Sequence, residues 1–100
     1  MAFGLLTKSG YGRTVIALIG DLDRSCEETV LAALAAAERE GCRFIDLDMS
    51  DVHAMNAECV ACFMEAHARL TAGGIVLSVV KASPAVVSAL TDAGLLEECS

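Results

Sequence analysis

Residues 43–63 read RFIDLDMSDVHAMNAECVACF, and this stretch decides the fold. Residues 43–49 are predicted to form a strand, in which apolar and acidic side chains alternate from Ile45 to Met49. Residues 50–55 are predicted to form a loop. Asn56 is a preferred N-cap residue and predicts the start of a helix that runs to about Leu70. A strand, loop and helix in succession are typical of α/β proteins.

The other elements are predicted from caps, turn residues and apolar periodicity. Ser25 and Glu28 form the S-x-x-E capping box, and Gly41 is suited to end the helix that they open. Residues 75–80 (IVLSVV) are almost entirely apolar, which predicts a central parallel strand covered on both faces. Further predicted features are strands at residues 3–6 and 14–19, the turn at 9–12, and a last helix from Ser83-Pro84 to Gly94 with Val86, Val87 and Leu90 facing inward. The order β-β-α-β-α-β-α predicts one α/β domain over residues 1–100, with a mixed, mostly parallel sheet of about four strands and about three helices.

Composition excludes several classes of function. The net charge is −7 and the seven Lys and Arg residues form no cluster, so no nucleic-acid partner is expected. No stretch reaches the ~18–20 apolar residues of a membrane span, and residues 1–12 lack the pattern of a signal peptide. We therefore expect a cytoplasmic protein whose five cysteines are free thiols.

Three short segments carry a resemblance to a known family. Residues 20–23 (GDLD) resemble a G-E-L-D turn, and residues 47–52 (LDMSDV) are similar to the strand L-D-L-S-x-V. Residues 73–95 contain Gly-Gly, Ser-Pro-x-Val and Gly-Leu at matching intervals. Together these segments, which span roughly residues 13–96, resemble the STAS domain of bacterial anti-sigma factor antagonists. The fold of that family has the order of elements predicted above.

The resemblance implies a function in binding rather than catalysis. Antagonists of this family bind an anti-sigma factor, often one with a kinase-like ATPase fold, and phosphorylation of a loop serine or threonine ends the interaction. No cofactor is implied. Transferred by position, the residues expected to bind the partner are Asp21, Asp23, Asn56, Ala57, Glu58 and Cys59.

The chain departs from the family where the switch lies. Ala57 stands at the position of the phosphorylated serine and has no hydroxyl. Asn56 replaces the usual aspartate and keeps its capping ability. Glu58 places one negative charge beside the phosphorylation position, against about −1.5 to −2 for a phosphoserine. Two hypotheses follow: a constitutive binder without the phosphorylation switch, which we favour, or a chain held in the phosphorylated-like, weakly binding form.

Cys59 and Cys62 form a C-x-x-C motif at a helix N-terminus, which is the setting of thiol redox sites. Helical spacing predicts Cys62 exposed and Cys59 turned inward. The motif lacks the Trp and Gly-Pro of thioredoxin, and we favour a small buried Cys59 with an incidental Cys62 over a redox pair. His53 lies in the predicted loop and His67 is expected on the inner side of the helix, so no metal site is predicted.

The sequence thus predicts a protein-binding module and no enzyme. Asp46 and Asp48 share one strand face by alternation, and we interpret Asp48 as structural rather than as half of an acid–base pair. Two alternative functions stay open: a thiol redox sensor or oxidoreductase acting through Cys59 and Cys62, and a STAS subunit of a transport or stress-signalling assembly.

Overall fold

The computed structural model describes residues 3–23 and 27–92. The elements follow the predicted order β-β-α-β-α-β-α. They are β1 (Phe3–Gly10), β2 (Arg13–Leu22), α1 (Glu27–Arg39), β3 (Phe44–Met55), α2 (Ala57–Ala72), β4 (Val76–Ala82) and α3 (Pro84–Asp92). The predicted α/β class and mixed four-stranded sheet are confirmed.

The sheet has the strand order β1-β2-β3-β4. β1 and β2 are antiparallel, and β2, β3 and β4 are parallel to one another. Tyr11 and Gly12 form the tight turn of the hairpin, with φ angles of 54° and 77°. Two successive positive φ angles give the type I′ turn, whose twist matches that of paired strands.

The helices form one layer on one side of the sheet. Every second residue of β2 from Thr14 to Leu22 is buried, and the intervening residues are more exposed. The buried side chains of sheet and helices form a single cluster, which includes Ile16, Leu18, Leu34, Ile45, Leu47, Phe63, Leu70 and Val86. The domain is therefore a slab of two layers, 30 × 30 × 19 Å.

The prediction that residues 75–80 form a central strand is wrong. β4 lies at the edge of the sheet, and β2 and β3 are the central strands. Val76, Val79 and Val80 on this edge strand are exposed, and Val76 lies on the sheet face opposite the helices. Val87, expected to face inward, is also exposed, whereas Val86 and Leu90 are buried as predicted.

The prediction of a loop at residues 50–55 is also wrong. β3 continues to Met55 and pairs with β2 through Asp51 to Ile19 and Val52 to Gly20. In residues 50–55 the alternation of buried and exposed side chains is interrupted. The strand continues through the interruption because the β2–β3 register shifts there. The β2–β3 ribbon consequently extends beyond β4.

The predicted caps are confirmed where the structure describes them. Asn56 caps α2, and Gly41 follows α1 with a φ of 81°. The Ser83 hydroxyl accepts a bond from the Val86 N–H at 3.4 Å, and Pro84 is the first residue of α3. The predicted Ser25 cap and Gly94 stop, together with Cys26 and Cys99, lie outside the described residues. Within the described ranges no helix is long and apolar enough to span a membrane.

Candidate functional site

The N-terminus of α2 is fixed by two hydrogen bonds of Asn56. The Asn56 backbone N–H donates to the carbonyl oxygen of Leu22 at 3.2 Å, which joins the end of β2 to the start of the helix. The Asn56 Oδ1 atom accepts from the backbone N–H of Cys59 at 2.9 Å. The second bond satisfies a donor that would otherwise lack a partner in the first turn.

The 20–23 turn is adjacent to this helix start. In the β2–β3 ladder Asp21 is paired with Ala54 and Leu22 with Met55, immediately before Asn56. The fold therefore brings together the two segments that the resemblance identified separately. We call the surface formed by Asp21, Asp23, Asn56, Ala57 and Glu58 the α2 surface.

Cys59 is buried, unlike the five residues that form the α2 surface. Asn56, Ala57 and Glu58 are exposed, and Asp21 and Asp23 are half-buried. Cys59 has only 3% of its surface exposed and lies beneath the α2 surface. Its side chain supports the first turn of α2 from inside, so its predicted part in partner contact would have to be indirect.

The α2 surface is acidic. Asp21, Asp23 and Glu58 bring three carboxylates to the start of a 16-residue helix. The partial positive charge of a helix N-terminus stabilises a carboxylate in the first turn, as Glu58 is. Ala57 is exposed and precedes Glu58 in the first turn of α2, so a small apolar methyl group is presented next to an acidic side chain.

The two cysteines of the C-x-x-C motif line one small hollow between α1 and α2. Its volume is about 10 Å³, close to that of one water molecule, and its lining residues are Leu22, Glu27, Val30, Cys59, Cys62 and Phe63. Cys62 is half-buried and Cys59 is buried, in the relative order that helical spacing predicted. A buried thiol is poorly accessible to oxidants, which favours the structural interpretation of Cys59.

The histidine prediction is wrong in one respect. His67 is exposed on α2 rather than packed on its inner side, because Ala66 and Leu70 occupy the buried face there. His53 is exposed on β3. Within the described ranges, no three His, Cys, Asp or Glu side chains are grouped so that they could hold a metal ion.

The neighbouring serines do not stand in for the missing hydroxyl. Ser83 is buried and its Oγ donates to the Val52 carbonyl oxygen at 2.5 Å. Ser50 is exposed, but its Oγ donates to Asp48 Oδ1 at 2.7 Å. Neither hydroxyl belongs to the first turn of α2, so neither can play the role of a serine at position 57.

Asp46 and Asp48 share one face of the sheet, as alternation predicted, and this face is the one opposite the helices. The Asp46 carboxylate forms an ion pair with Arg13, whose guanidinium lies 4.7 Å from the centre of the Phe44 ring. Hydrogen bonds from the hydroxyl and backbone N–H of Ser50, with a smaller contribution from the charge of Lys81, hold the pKa of Asp48 below its ordinary value of 3.8. The Asp48 carboxylate is stabilised in its charged form, which suits a structural role better than proton transfer.

This same face carries a feature that the sequence interpretation missed. Leu6, Ile19, Phe44 and Val76 expose apolar surface there. In the sequence, this feature corresponds to apolar residues at the strand positions that point away from the helices. These positions can be recognised only when it is known which face of each strand the helices cover.

A sequence profile identifies the family of this chain. The profile described as "Mlab, STAS domain" matches residues 7–97. The chain belongs to the STAS family. No curated protein is similar enough in sequence to be matched to it.

Several solved structures share the fold at low sequence identity. The unphosphorylated anti-sigma factor antagonist SpoIIAA has a TM-score of 0.77 and 23% identity, with 94% of this chain and 82% of that chain covered. An anti-sigma factor antagonist from Mycobacterium paratuberculosis has a TM-score of 0.83 and 18% identity, covering 97% and 82%. A protein named Mglu has a TM-score of 0.71 and 24% identity over 79% of this chain and 20% of that chain.

Proposed function

We propose that this STAS domain is a regulatory binding module that docks on an anti-sigma factor through the α2 surface, without a serine phosphorylation switch. The observation that carries the proposal is the Asn56–Leu22 hydrogen bond. It holds the first turn of α2 beside the 20–23 turn, so that the two segments form one continuous surface. A pre-formed surface loses little conformational freedom on binding.

The chemistry of the α2 surface indicates what would bind it. The α2 surface carries the carboxylates of Asp21, Asp23 and Glu58 and the exposed methyl group of Ala57. A complementary partner would present Lys or Arg side chains around a small apolar contact. An anti-sigma factor with a kinase-like ATPase fold is the partner that the family resemblance implies.

The absence of a hydroxyl at position 57 supports a constitutive interaction. A phosphoryl group adds about −1.5 to −2 charges and needs an acceptor oxygen, which Ala57 cannot supply. The single charge of Glu58 points from the next position along the first turn, so the apolar spot at Ala57 stays open to a partner. We therefore favour the binding-competent form over the permanently phosphorylated-like form.

The experiment has two stages. The tagged chain is first used to capture partners from its own cell lysate, with and without reductant, and these are identified by mass spectrometry. The purified partner is then titrated with wild-type chain and with Ala57→Trp and Glu58→Lys. The proposal expects an anti-sigma factor retained under both conditions, and an affinity at least about tenfold weaker for each variant.

Matched controls exist on the same helix. Ala68→Trp and Glu65→Lys make the same chemical changes at exposed positions, about three turns from Ala57 and about two turns from Glu58 respectively. These variants should bind like wild type. Equal losses in variants and controls, or a partner retained only without reductant, would contradict the proposal and favour the thiol alternative. Recovery of a membrane or multi-STAS assembly would favour the third function.

A further inference from the structure

The charges of the chain are divided between the two ends of its parallel strands. β2 runs from Arg13 to Leu22, and at about 3.3 Å per residue its ends lie about 30 Å apart. The α2 surface lies at one end. The other end consists of the hairpin turn, the start of β3 and the last turns of α1 and α2, and we call it the hairpin end. Because about 30 Å is several Debye lengths at physiological ionic strength, each end presents its own local charge to other molecules.

The hairpin end is basic, although the chain as a whole is acidic. Arg13 forms an ion pair with Asp46 there. Arg69 is likewise paired with Glu38. Three further cations at this end are exposed, against the single carboxylate of Glu40, which leaves a formal charge of +2. Five of the six described Lys and Arg residues therefore lie at the hairpin end, namely Lys8, Arg13, Arg39, Arg43 and Arg69.

Tyr11, at the tip of the hairpin, is not explained by local chemistry. Its φ of 54° lies in the left-handed region, where Gly, Asn or Asp is the usual residue of such a turn. Its side chain is wholly exposed, so packing within the chain does not compensate for this backbone conformation. A residue that breaks a local rule without a gain inside the fold is expected at a functional site.

Arg43 lies beside this tyrosine. The Arg43 backbone N–H donates to the Gly12 carbonyl oxygen at 2.7 Å, which holds the start of β3 against the hairpin turn. Both Tyr11 and Arg43 are exposed. Tyrosine and arginine are among the residues most enriched in binding hot spots. The hairpin end thus presents an aromatic ring next to a cation.

The α2 surface has the opposite charge. Glu27 and Glu28 begin α1 directly after the 20–23 turn, and Glu27 lines the same hollow as Cys59. Arg24, which is outside the described residues, brings the formal charge of this group only to −4. The five carboxylates of the group are those of Asp21, Asp23, Glu27, Glu28 and Glu58.

We propose that the hairpin end docks on the α2 surface of a second copy of this chain. The Tyr11 ring would cover the exposed methyl group of Ala57, and Arg43 would lie against the carboxylate of Glu58. The two surfaces are different, so each copy can make both contacts at once. Copies would therefore associate head to tail along the strand direction, in an open series rather than a closed dimer.

The contact is small and electrostatic. The end of the slab measures 30 × 19 Å, which limits the buried area to about 570 Å² per partner. A standard interface buries about 800 Å² per partner, so the association is weak. Because the opposing charges are exposed, salt should weaken it further.

The association has a consequence for the proposed function, although it does not rest on that function. In a head-to-tail series every α2 surface except the one at the end is covered by the next copy. If the α2 surface docks on an anti-sigma factor, self-association would compete with that partner. Experiments on the purified chain alone test the association separately, because no anti-sigma factor is present.

Sedimentation velocity from about 10 µM to about 1 mM, in about 25 mM and about 500 mM NaCl, is the first measurement. At low salt the average mass of wild type should rise with concentration and pass that of a dimer, and high salt should reverse the rise. Arg43→Glu and Tyr11→Ser should each weaken self-association at least about tenfold. Lys81→Glu makes the same charge change as Arg43→Glu at an exposed position away from both ends, and should associate like wild type.

A mixing experiment identifies the head-to-tail arrangement itself. Arg43→Glu leaves the α2 surface intact, and Ala57→Trp leaves the hairpin end intact. Each variant alone should stay monomeric. An equimolar mixture offers one intact contact, so it should form a 1:1 dimer and grow no further. Circular dichroism of each variant shows that it is folded.

Three results would overturn the inference. Wild type could stay monomeric at about 1 mM in low salt, where the contact should be strongest. Arg43→Glu could associate as well as Lys81→Glu does. The mixture of Arg43→Glu and Ala57→Trp could remain monomeric or grow beyond a dimer, which would show that these two surfaces do not bind each other.

Discussion

The backbone N–H of Asn56 donates a hydrogen bond to the carbonyl oxygen of Leu22, with an N···O distance of 3.2 Å. This bond links two segments separated by a complete helix and strand. The end of β2 and the start of α2 consequently have a fixed relative position. A partner that contacts both segments meets a single pre-organised surface, which is the physical basis of the function proposed above.

Asn56→Ala is expected to destabilise the domain by about 1 kcal/mol, because it removes the side-chain acceptor of the Cys59 N–H. The backbone bond to Leu22 does not involve the side chain and should persist. Urea unfolding monitored by circular dichroism measures the change. Asn56→Asp is the control, since aspartate caps a helix as well as asparagine does. A loss as large in Asn56→Asp as in Asn56→Ala would show that the cap is not the cause.

Ser83→Ala is expected to cost about 1–3 kcal/mol of unfolding free energy, because it leaves the buried Val52 carbonyl oxygen without its hydroxyl donor. The same hydroxyl also accepts from the Val86 N–H at the start of α3. Ser88→Ala removes a hydroxyl from an exposed position of α3 and serves as the control. Thermal and urea unfolding should distinguish the two variants; equal stability would contradict this role for Ser83.

Local chemistry made much of this fold predictable. Asn56, Gly41 and Ser83-Pro84 signal helix boundaries through their own hydrogen-bonding and backbone preferences, and the structure has the boundaries they indicate. The family resemblance assigned residues of the 20–23 turn and of 56–59 to partner binding, without placing the two segments side by side. Their contact through Leu22 and Asn56 follows from the parallel pairing of β2 and β3.

The wrong predictions concern properties that depend on the arrangement of the whole sheet and not on any single segment. Residues 75–80 are apolar enough for a central strand, but their place at the edge depends on the order of all four strands. Residues 50–55 lack the regular alternation of buried and exposed side chains that indicates a strand, because the β2–β3 register shifts there. The exposed apolar residues on the sheet face opposite the helices, such as Leu6 and Val76, could not be identified before the covered face of the sheet was known.

Ser50→Ala is expected to raise the pKa of Asp48 toward its ordinary value, because the Ser50 hydroxyl is the largest cause of the lowered pKa. NMR titration of the Asp48 carboxyl carbon measures this directly. A carboxylate whose pKa is lower in the folded than in the unfolded chain stabilises the fold fully above the unfolded value of 3.8. That contribution is lost as pH falls from there through the folded pKa.

The stability difference between wild type and Ser50→Ala should therefore shrink as pH falls through this acidic range. Ser78→Ala, on the neighbouring strand β4, is the comparison variant. An unchanged Asp48 titration in Ser50→Ala would contradict the assignment of the hydrogen bond. A stability difference that grows toward low pH would contradict the sign of the linkage.

Cys62→Ser is expected to leave both stability and partner affinity close to wild type, since Cys62 is half-buried at the edge of the hollow and Cys59 does the packing. Cys59→Ser should destabilise the domain, because it introduces a hydroxyl at a site with 3% exposure. Intact mass spectrometry under mild oxidant should show no loss of two hydrogens between Cys59 and Cys62. Formation of that disulfide, with a change in partner binding, would support the redox alternative.

Two opposite charge changes in the first turn of α2 should decide between the constitutive and the phosphorylated-like hypotheses. Ala57→Glu places a carboxylate where the family carries its phosphoryl group. If the wild-type chain binds constitutively, this variant should lower affinity for the captured partner at least about tenfold. Glu58→Gln removes the neighbouring charge while keeping size, and should weaken binding to a basic partner or leave it unchanged.

If the chain is instead held in the phosphorylated-like form, Glu58→Gln should strengthen binding and Ala57→Glu should have little further effect. Calorimetric titration of both variants, with Glu65→Gln as the control on the same helix, separates the two outcomes by the sign of the Glu58→Gln change.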